Sequence, residues 1–155
     1  MIRLRPPIDS DVAAFFEHQR DPEANRMAAF GAKHPDDREA FVSRWQRQRE
    51  DPTILMRAIE HDGEVVGHVA SFLREDAREV TYWIDRAYWG KGIASAALGA
   101  FLRDEVRRPL FGRAAVDNLA SRRVLEKHGF VIVGRERAFA NARGEEIEEV
   151  VVRLG

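Results

Sequence analysis

The chain has 155 residues, 45% hydrophobic and 33% charged, and its 25 Lys+Arg against 26 Asp+Glu leave a net charge of −1. That length suits one domain, 1–155, with a core of its own, and the charge balance speaks against a protein held by nucleic-acid phosphates. The absence of cysteine excludes disulfides, thiolate metal sites and a cysteine nucleophile. No apolar run reaches the ~18 residues a membrane span needs, and the first residues do not resemble a signal peptide, so a soluble cytoplasmic protein is the expectation.

Ile2-Arg3-Leu4-Arg5 alternates and predicts a short strand closed by Pro6-Pro7. Asp9 is the expected N-cap of a helix carrying Val12, Phe15 and Phe16, which Asp21-Pro22 breaks. A loop is expected from there through Asn25-Arg26-Met27 to Gly31. Past His34-Pro35 the spacing of Phe41, Trp45 and Gln48 predicts a second helix, ended by Asp51-Pro52.

Two β-rich runs, Ile54–Ile59 and Val65–Phe72, flank His61-Asp62-Gly63, a strong hairpin signal. A strand follows at Glu79–Ile84, then a polar, glycine-rich turn, Asp85 to Gly92, which opens into an Ala- and Leu-rich helix from Ile93 to Val106. Beyond Pro109 a strand is expected over Leu110–Val116. Asn118 caps a helix from Ala120 to His128, stopped by Gly129. Phe130–Val133 and Glu148–Leu154 complete the pattern as strands turned by Asn141-Ala142-Arg143-Gly144. The order β-α-α-β-β-β-α-β-α-β-β predicts an α+β domain. Its mixed, mostly antiparallel sheet contains one central parallel crossover.

Two segments carry chemistry. In Trp89-Gly90-Lys91-Gly92-Ile93-Ala94-Ser95 the glycines let a backbone come close to a ligand, and the following helix supplies free N–H groups and a positive dipole end for an anion. Neither a Walker A loop nor a GxGxxG fingerprint fits it. The second segment is Asn118-Leu119-Ala120-Ser121 followed by Glu126-Lys127-His128-Gly129-Phe130, which taken alone is a capped helix and its stop.

Together, in order and correctly separated, these segments resemble the GNAT superfamily of acyl-CoA-dependent N-acetyltransferases. The family's central pattern is Arg/Gln-x-x-Gly-x-Gly/Ala at a helix start. Gly92 and Ala94 match it, and Trp89 stands at the Arg/Gln place, as in the Rim-like branch named for ribosomal-protein N-terminal acetyltransferases. Asn-x-x-Ser with Glu-Lys-x-Gly-Phe is the second pattern, and the likeness covers about residues 79 to 133.

The resemblance implies two parallel strands splayed near Ile84 and Val116, with acetyl-CoA between them as co-substrate. Backbone groups of Tyr82 and Ile84 would hold the pantetheine arm, amides from Gly90 to Ser95 (Ile93 and Ala94 among them) the pyrophosphate, with Lys91 nearby. Asn118 would reach the pantetheine. Many members use a tyrosine to protonate the departing thiolate; Leu125 holds that place here, so Ser121 is the expected donor. Glu79, sharing a strand face with Thr81, Trp83 and Asp85, is the expected base for the amine. The acceptor would be a protein N-terminus or a small amine, with a non-catalytic acyl-CoA-binding module as the alternative reading. Dimers are common in the family, so a homodimer stays open.

The five histidines show no ligand spacing, and His68, in an apolar strand, is expected to be structural and hydrogen-bonded. Asp36-Asp37 reads as helix N-terminal charge rather than a metal site. The arginines from Arg44 to Arg49 read as a solvated helix face. Asn25-Arg26-Met27 and the residues up to Phe30 fall where related enzymes line the acceptor site.

Overall fold

In the computed structural model, which describes residues 1–155, the alternating runs form one seven-stranded sheet of order β1-β2-β3-β4-β5-β7-β6. The strands are β1 (Ile2–Arg5), β2 (Leu55–His61), β3 (Glu64–Arg74), β4 (Ala77–Ile84), β5 (Leu110–Ala115), β6 (Val131–Ala140) and β7 (Glu145–Leu154). All neighbours are antiparallel except β4 and β5. The Asp62-Gly63 turn joins β2 to β3 with positive φ at both residues, and Glu75-Asp76 does the same between β3 and β4 without a glycine.

The helices are α1 (Asp11–Arg20), α2 (Pro22–Ala28), α3 (Arg38–Glu50), α4 (Ile93–Asp104) and α5 (Leu119–Lys127). On one side of the sheet Leu98 and Phe101 of α4 pack with Val66, Val69, Val80 and Ile84. On the other, Phe15 of α1 and Trp45 of α3 close over Ala58.

Several expectations are corrected. The segment after Asp21-Pro22 is a helix rather than a loop: Asp21 caps α2 by accepting from Ala24 N at 2.8 Å, with Pro22 at the first helical position. The dipeptide that ends one helix therefore starts another. Asp9 does not cap α1; it pairs with Arg49, while buried Asp11 holds Ile8 N at 2.8 Å and both terminal nitrogens of Arg5. The helix from Ile93 ends at Asp104, because Glu105 turns out of helical conformation. The last two strands are longer than predicted, ten residues each, and cross-strand pairing continues through their polar halves. Asp37 is the N-cap of α3, accepting from Ala40 N at 3.0 Å, in line with the charge reading. The arginines of α3 are not a purely solvated face, since Arg44 covers the Phe41 ring and Arg49 the Trp45 ring.

One irregularity positions the site. Ile59 faces Gly67 while Glu60 faces Val65, so Val66 is a β-bulge residue. The bulge sends Val66 into the α4-side core and brings His68 against Phe15 of α1. The Val66 carbonyl accepts Asp85 N at 2.8 Å, anchoring the turn that leaves β4.

Candidate functional site

β4 and β5 share a single ladder pair, Glu79 with Phe111. Above it the strands diverge, and residues 80–84 keep their ladder with β3 alone. A cleft of about 360 Å³ opens there. Tyr82, Trp83 and Ile84 of β4 form its floor, Tyr88 to Gly90 with Gly92 to Ser95 one end, Asn118, Ala120, Ser121 and Val124 of α5 a wall, and Ala24, Met27 and Ala28 of α2 another.

Gly90 and Gly92 both have positive φ, +78° and +76°, and Gly92 is the left-handed residue preceding α4. That conformation favours glycine. The first helical bond is Ala96 N to Gly92 O, which leaves the N–H groups of Ile93, Ala94 and Ser95 free at the positive end of the dipole. Within this end, Ser95 Oγ lies 3.1 Å from His128 Nε2. Trp89 donates its indole N–H to the Ile84 carbonyl at 3.0 Å, tying the turn back to the strand. Lys91 is exposed and stands 5.7 Å from the Tyr88 ring centroid, outside the residues that line the cleft.

On the α5 side, Asn118 accepts Ser121 N–H at 3.2 Å and donates to Met27 O at 3.3 Å, joining α5 to α2 across the cleft mouth. Ser121 Oγ lies 2.8 Å from the Tyr82 hydroxyl. Burial pushes the Tyr82 phenol up from its ordinary value, against a partly offsetting hydrogen bond with Ser121. Leu125 is buried in the core, 2% exposed. The turn between β6 and β7 completes the α2 side: Arg143 donates to Arg26 O at 2.7 Å and Asn141 to Gly31 O at 3.0 Å. A mostly apolar slot with free amides at one end matches a ligand that has a long thin arm and a phosphate group.

The fold thus brings together Tyr82, Ile84, Trp89, Gly90, Gly92, Ile93, Ala94, Ser95, Asn118 and Ser121. It does not bring Glu79 to them. Glu79 sits at the closed end of the splay, buried, accepting from Arg113 Nε at 3.0 Å with Arg74 at 3.4 Å. It lies three residues before Tyr82, roughly 10 Å along the strand. Of the acceptor-side segment, Met27 and Ala28 line the cleft, Asn25 lines a second cavity, and Arg26 turns outward to Glu23.

That second cavity, about 190 Å³, lies behind Trp83 among Phe15, Phe41, Trp45 and His68. His68 is not hydrogen-bonded as expected; its buried Nδ1 has no partner. Burial, with a smaller contribution from His18, pushes its pKa down to about 4, so it is neutral at physiological pH. Sequence reasoning missed Tyr82 as a side chain, because a strand tyrosine gives no sign of which helix its hydroxyl meets. No cluster of three His, Asp or Glu side chains is placed to hold a metal ion, and no helix is long and apolar enough to cross a membrane.

The profile of the acetyltransferase (GNAT) domain matches residues 2–131. YdaF of Bacillus subtilis (strain 168), a protein named as a ribosomal N-acetyltransferase, is 30% identical over 148 residues, covering 88% of this chain and 80% of its own. Among solved structures, Mycobacterium smegmatis RimJ in complex with CoA-disulfide superposes with a TM-score of 0.79 at 21% identity, over 99% of this chain and 81% of its own. The yncA acetyltransferase of Salmonella typhimurium, solved with its cofactor acetyl-CoA, gives 0.80 at 18% identity over 99% and 92%. At those identities the two structures speak for the fold.

Proposed function

The chain belongs to the GNAT acetyltransferase family, and on that premise we propose that this acetyl-CoA-dependent N-acetyltransferase acts on α-amines, foremost the N-terminus of a polypeptide, in the manner of the Rim-like branch. The whole span 1–155 then works as one catalytic domain, in the cytoplasm. The observation that carries the acceptor reading is the α2 side of the cleft, where the acceptor segment lies: Ala24, Met27 and Ala28 line it and offer no carboxylate or imidazole. A polyamine or a lysine side chain would call for carboxylates to bind it and a base to neutralise it. An α-amine has a pKa of about 7.7–8.0 and is roughly a third neutral at pH 7.5, whereas a lysine amine near 10.4 is about 0.1% neutral. The name of the Bacillus relative points the same way.

In this reading Tyr82 and Ile84 offer backbone groups to the pantetheine, Asn118 supports it, and the amides from Gly90 to Ser95 receive the pyrophosphate with Lys91 as a nearby counter-charge. The amine attacks the thioester carbonyl directly in a ternary complex, and Ser121 faces the sulfur. Glu79 has no part in the proton transfer, since its carboxylate is committed to Arg113.

The test is thiol release from acetyl-CoA over a panel of free-N-terminus peptides, Nα-blocked lysine peptides and spermine. Peptides with free N-termini should react at least ~100-fold faster than the blocked ones at pH 7.5, following the neutral fractions. Their kcat/KM should rise with pH and level off above about 8. A preference for spermine or for blocked lysine peptides would overturn the acceptor reading. Glu79→Gln should leave this pH profile in place while lowering stability by about 1 kcal/mol, read as a melting point a few degrees lower. A loss of activity confined to low pH would restore Glu79 as the base.

A further inference from the structure

We propose that Tyr82 is a positioning residue for acetyl transfer, its phenol donating to Ser121 Oγ so that the one Ser121 hydroxyl proton is aimed at the departing sulfur. This rests on the reading of the cleft given above and extends it to a side chain that the resemblance did not single out.

Three observations carry it. The Tyr82 hydroxyl is 2.8 Å from Ser121 Oγ and 3.3 Å from the Ser121 carbonyl, so both of its contacts are with one residue. Ser121 Oγ makes no hydrogen bond to the carbonyl one turn back; its only partner is Tyr82. Helical serines commonly spend their proton on that carbonyl, and this one does not. The Ser121 backbone is held independently, its N–H on Asn118 and the Asn118 amide on Met27 O, which fixes the hydroxyl at the cleft wall.

Either hydroxyl can donate across the 2.8 Å contact; in the proposed arrangement the donor is Tyr82. A hydroxyl has one proton and two acceptor sites. When Tyr82 donates to Oγ, the serine proton is free to point into the cleft, and accepting that bond makes the serine a better donor. The buried phenol stays protonated at neutral pH, its pKa raised by burial, so it serves as donor throughout. Leu125, buried at the place of the family's tyrosine, can offer nothing to the sulfur.

In the balanced step, the amine nitrogen bonds to the thioester carbonyl carbon while the carbon–sulfur bond breaks with its electron pair on sulfur. The nitrogen sheds one proton to water, and sulfur gains one through Ser121 Oγ, which is reprotonated from water. A thiol near the ordinary value of about 8.5 is a stronger acid than the phenol, so Tyr82 keeps its proton and acts by orientation.

The experiment compares wild type, Tyr82→Phe, Ser121→Ala and the double variant in two ways. In steady-state kinetics each single variant should lower kcat about 10-fold, the worth of one hydrogen bond, with KM for acetyl-CoA within about twofold. The double variant should be no slower than Ser121→Ala alone. Independently of turnover, the thiol of bound CoA is titrated by its ultraviolet thiolate absorbance. A hydrogen bond to the thiolate favours the charged form, so both single variants should raise the bound thiol's pKa to the same extent. Wild-type kcat and thiol pKa in Tyr82→Phe, or losses that multiply in the double variant, would overturn the proposal; so would a Tyr82→Phe defect confined to CoA affinity, which marks packing alone. If wild type itself transfers no acetyl group to any amine, the functional reading fails instead, and the titration still decides whether Tyr82 orients Ser121.

Discussion

Gly92→Glu should reduce CoA affinity at least ~100-fold, or about 2.7 kcal/mol, while the protein stays folded. Two effects combine at this position. Gly92 sits at φ +76°, where a residue with a Cβ is strained by about 1–2 kcal/mol. A Cβ built there meets no atom within 4 Å, so the new side chain projects into the open mouth of the turn without colliding with the protein. What it projects is a carboxylate, placed where the free amides of Ile93, Ala94 and Ser95 would receive phosphate. The intruding charge takes up those donors and repels the pyrophosphate. Gly92→Ala separates the effects: strain without charge should cost about 1–2 kcal/mol of stability and leave CoA affinity well above that of Gly92→Glu. Calorimetric titration with CoA, with a melting curve for each variant, checks both. Affinity for CoA within threefold of wild type in Gly92→Glu would remove the turn from the cofactor site.

Glu105→Ala should lower stability by about 3–5 kcal/mol. Glu105 is 1% exposed at the foot of α4. It accepts from Arg107 N at 3.1 Å, Arg107 Nε at 3.0 Å and Arg107 Nη2 at 2.9 Å. It also accepts from buried Ser71, while Arg78 approaches at 3.8 Å. Removing the carboxylate leaves buried Arg78 without its counter-charge and frees the end of α4 whose other end is the glycine turn. CoA affinity should fall only where the melting transition has begun.

Burial by itself would raise the Glu105 pKa, but the bonds from Arg107 and Ser71 outweigh it and hold the group below its ordinary value. A carboxylate with a depressed folded-state pKa stabilises above its unfolded value, and that contribution fades as pH falls through the folded one. The wild type should therefore lose stability on acidification below the ordinary glutamate range, and Glu105→Ala should lose less over the same interval. Chemical denaturation from pH 7 down to pH 3 gives the comparison; parallel curves for the two proteins would show that Glu105 titrates normally.

Much of the architecture was legible in the residues, and the reasons are local. Asp62-Gly63 can turn a chain only one way between β-rich runs, and Asn118 and Gly129 mark the two ends of α5. The spacing of Gly90, Gly92 and Ala94 pointed to a turn whose backbone a ligand could approach, because close approach needs missing side chains, and both glycines do take positive φ. Asp21-Pro22 was misread because the same two residues can end one helix and cap the next. The burial of Ala24 and Asn25 decides between those options, and burial is not a local property. The surroundings of Glu79 were out of reach for a similar reason: strand alternation gives a face but not a neighbour, and Arg113 comes from another strand.

What this sequence determined by itself is the order of the elements, the strand–helix–strand crossover that makes the sheet mixed, and the local conformation of the glycine turn. These depend on contacts within a few residues, where backbone sterics and hydrogen bonding have few solutions. Only the tertiary structure decided how far β4 and β5 stay paired, and so where the cleft opens. It alone turned His68 across the sheet through the Val66 bulge, gave Glu79 to Arg113, and set Tyr82 against Ser121, 39 residues away. Such pairings are chosen by packing across the sheet, where a side chain's partner follows from register and twist rather than from its own neighbours in sequence.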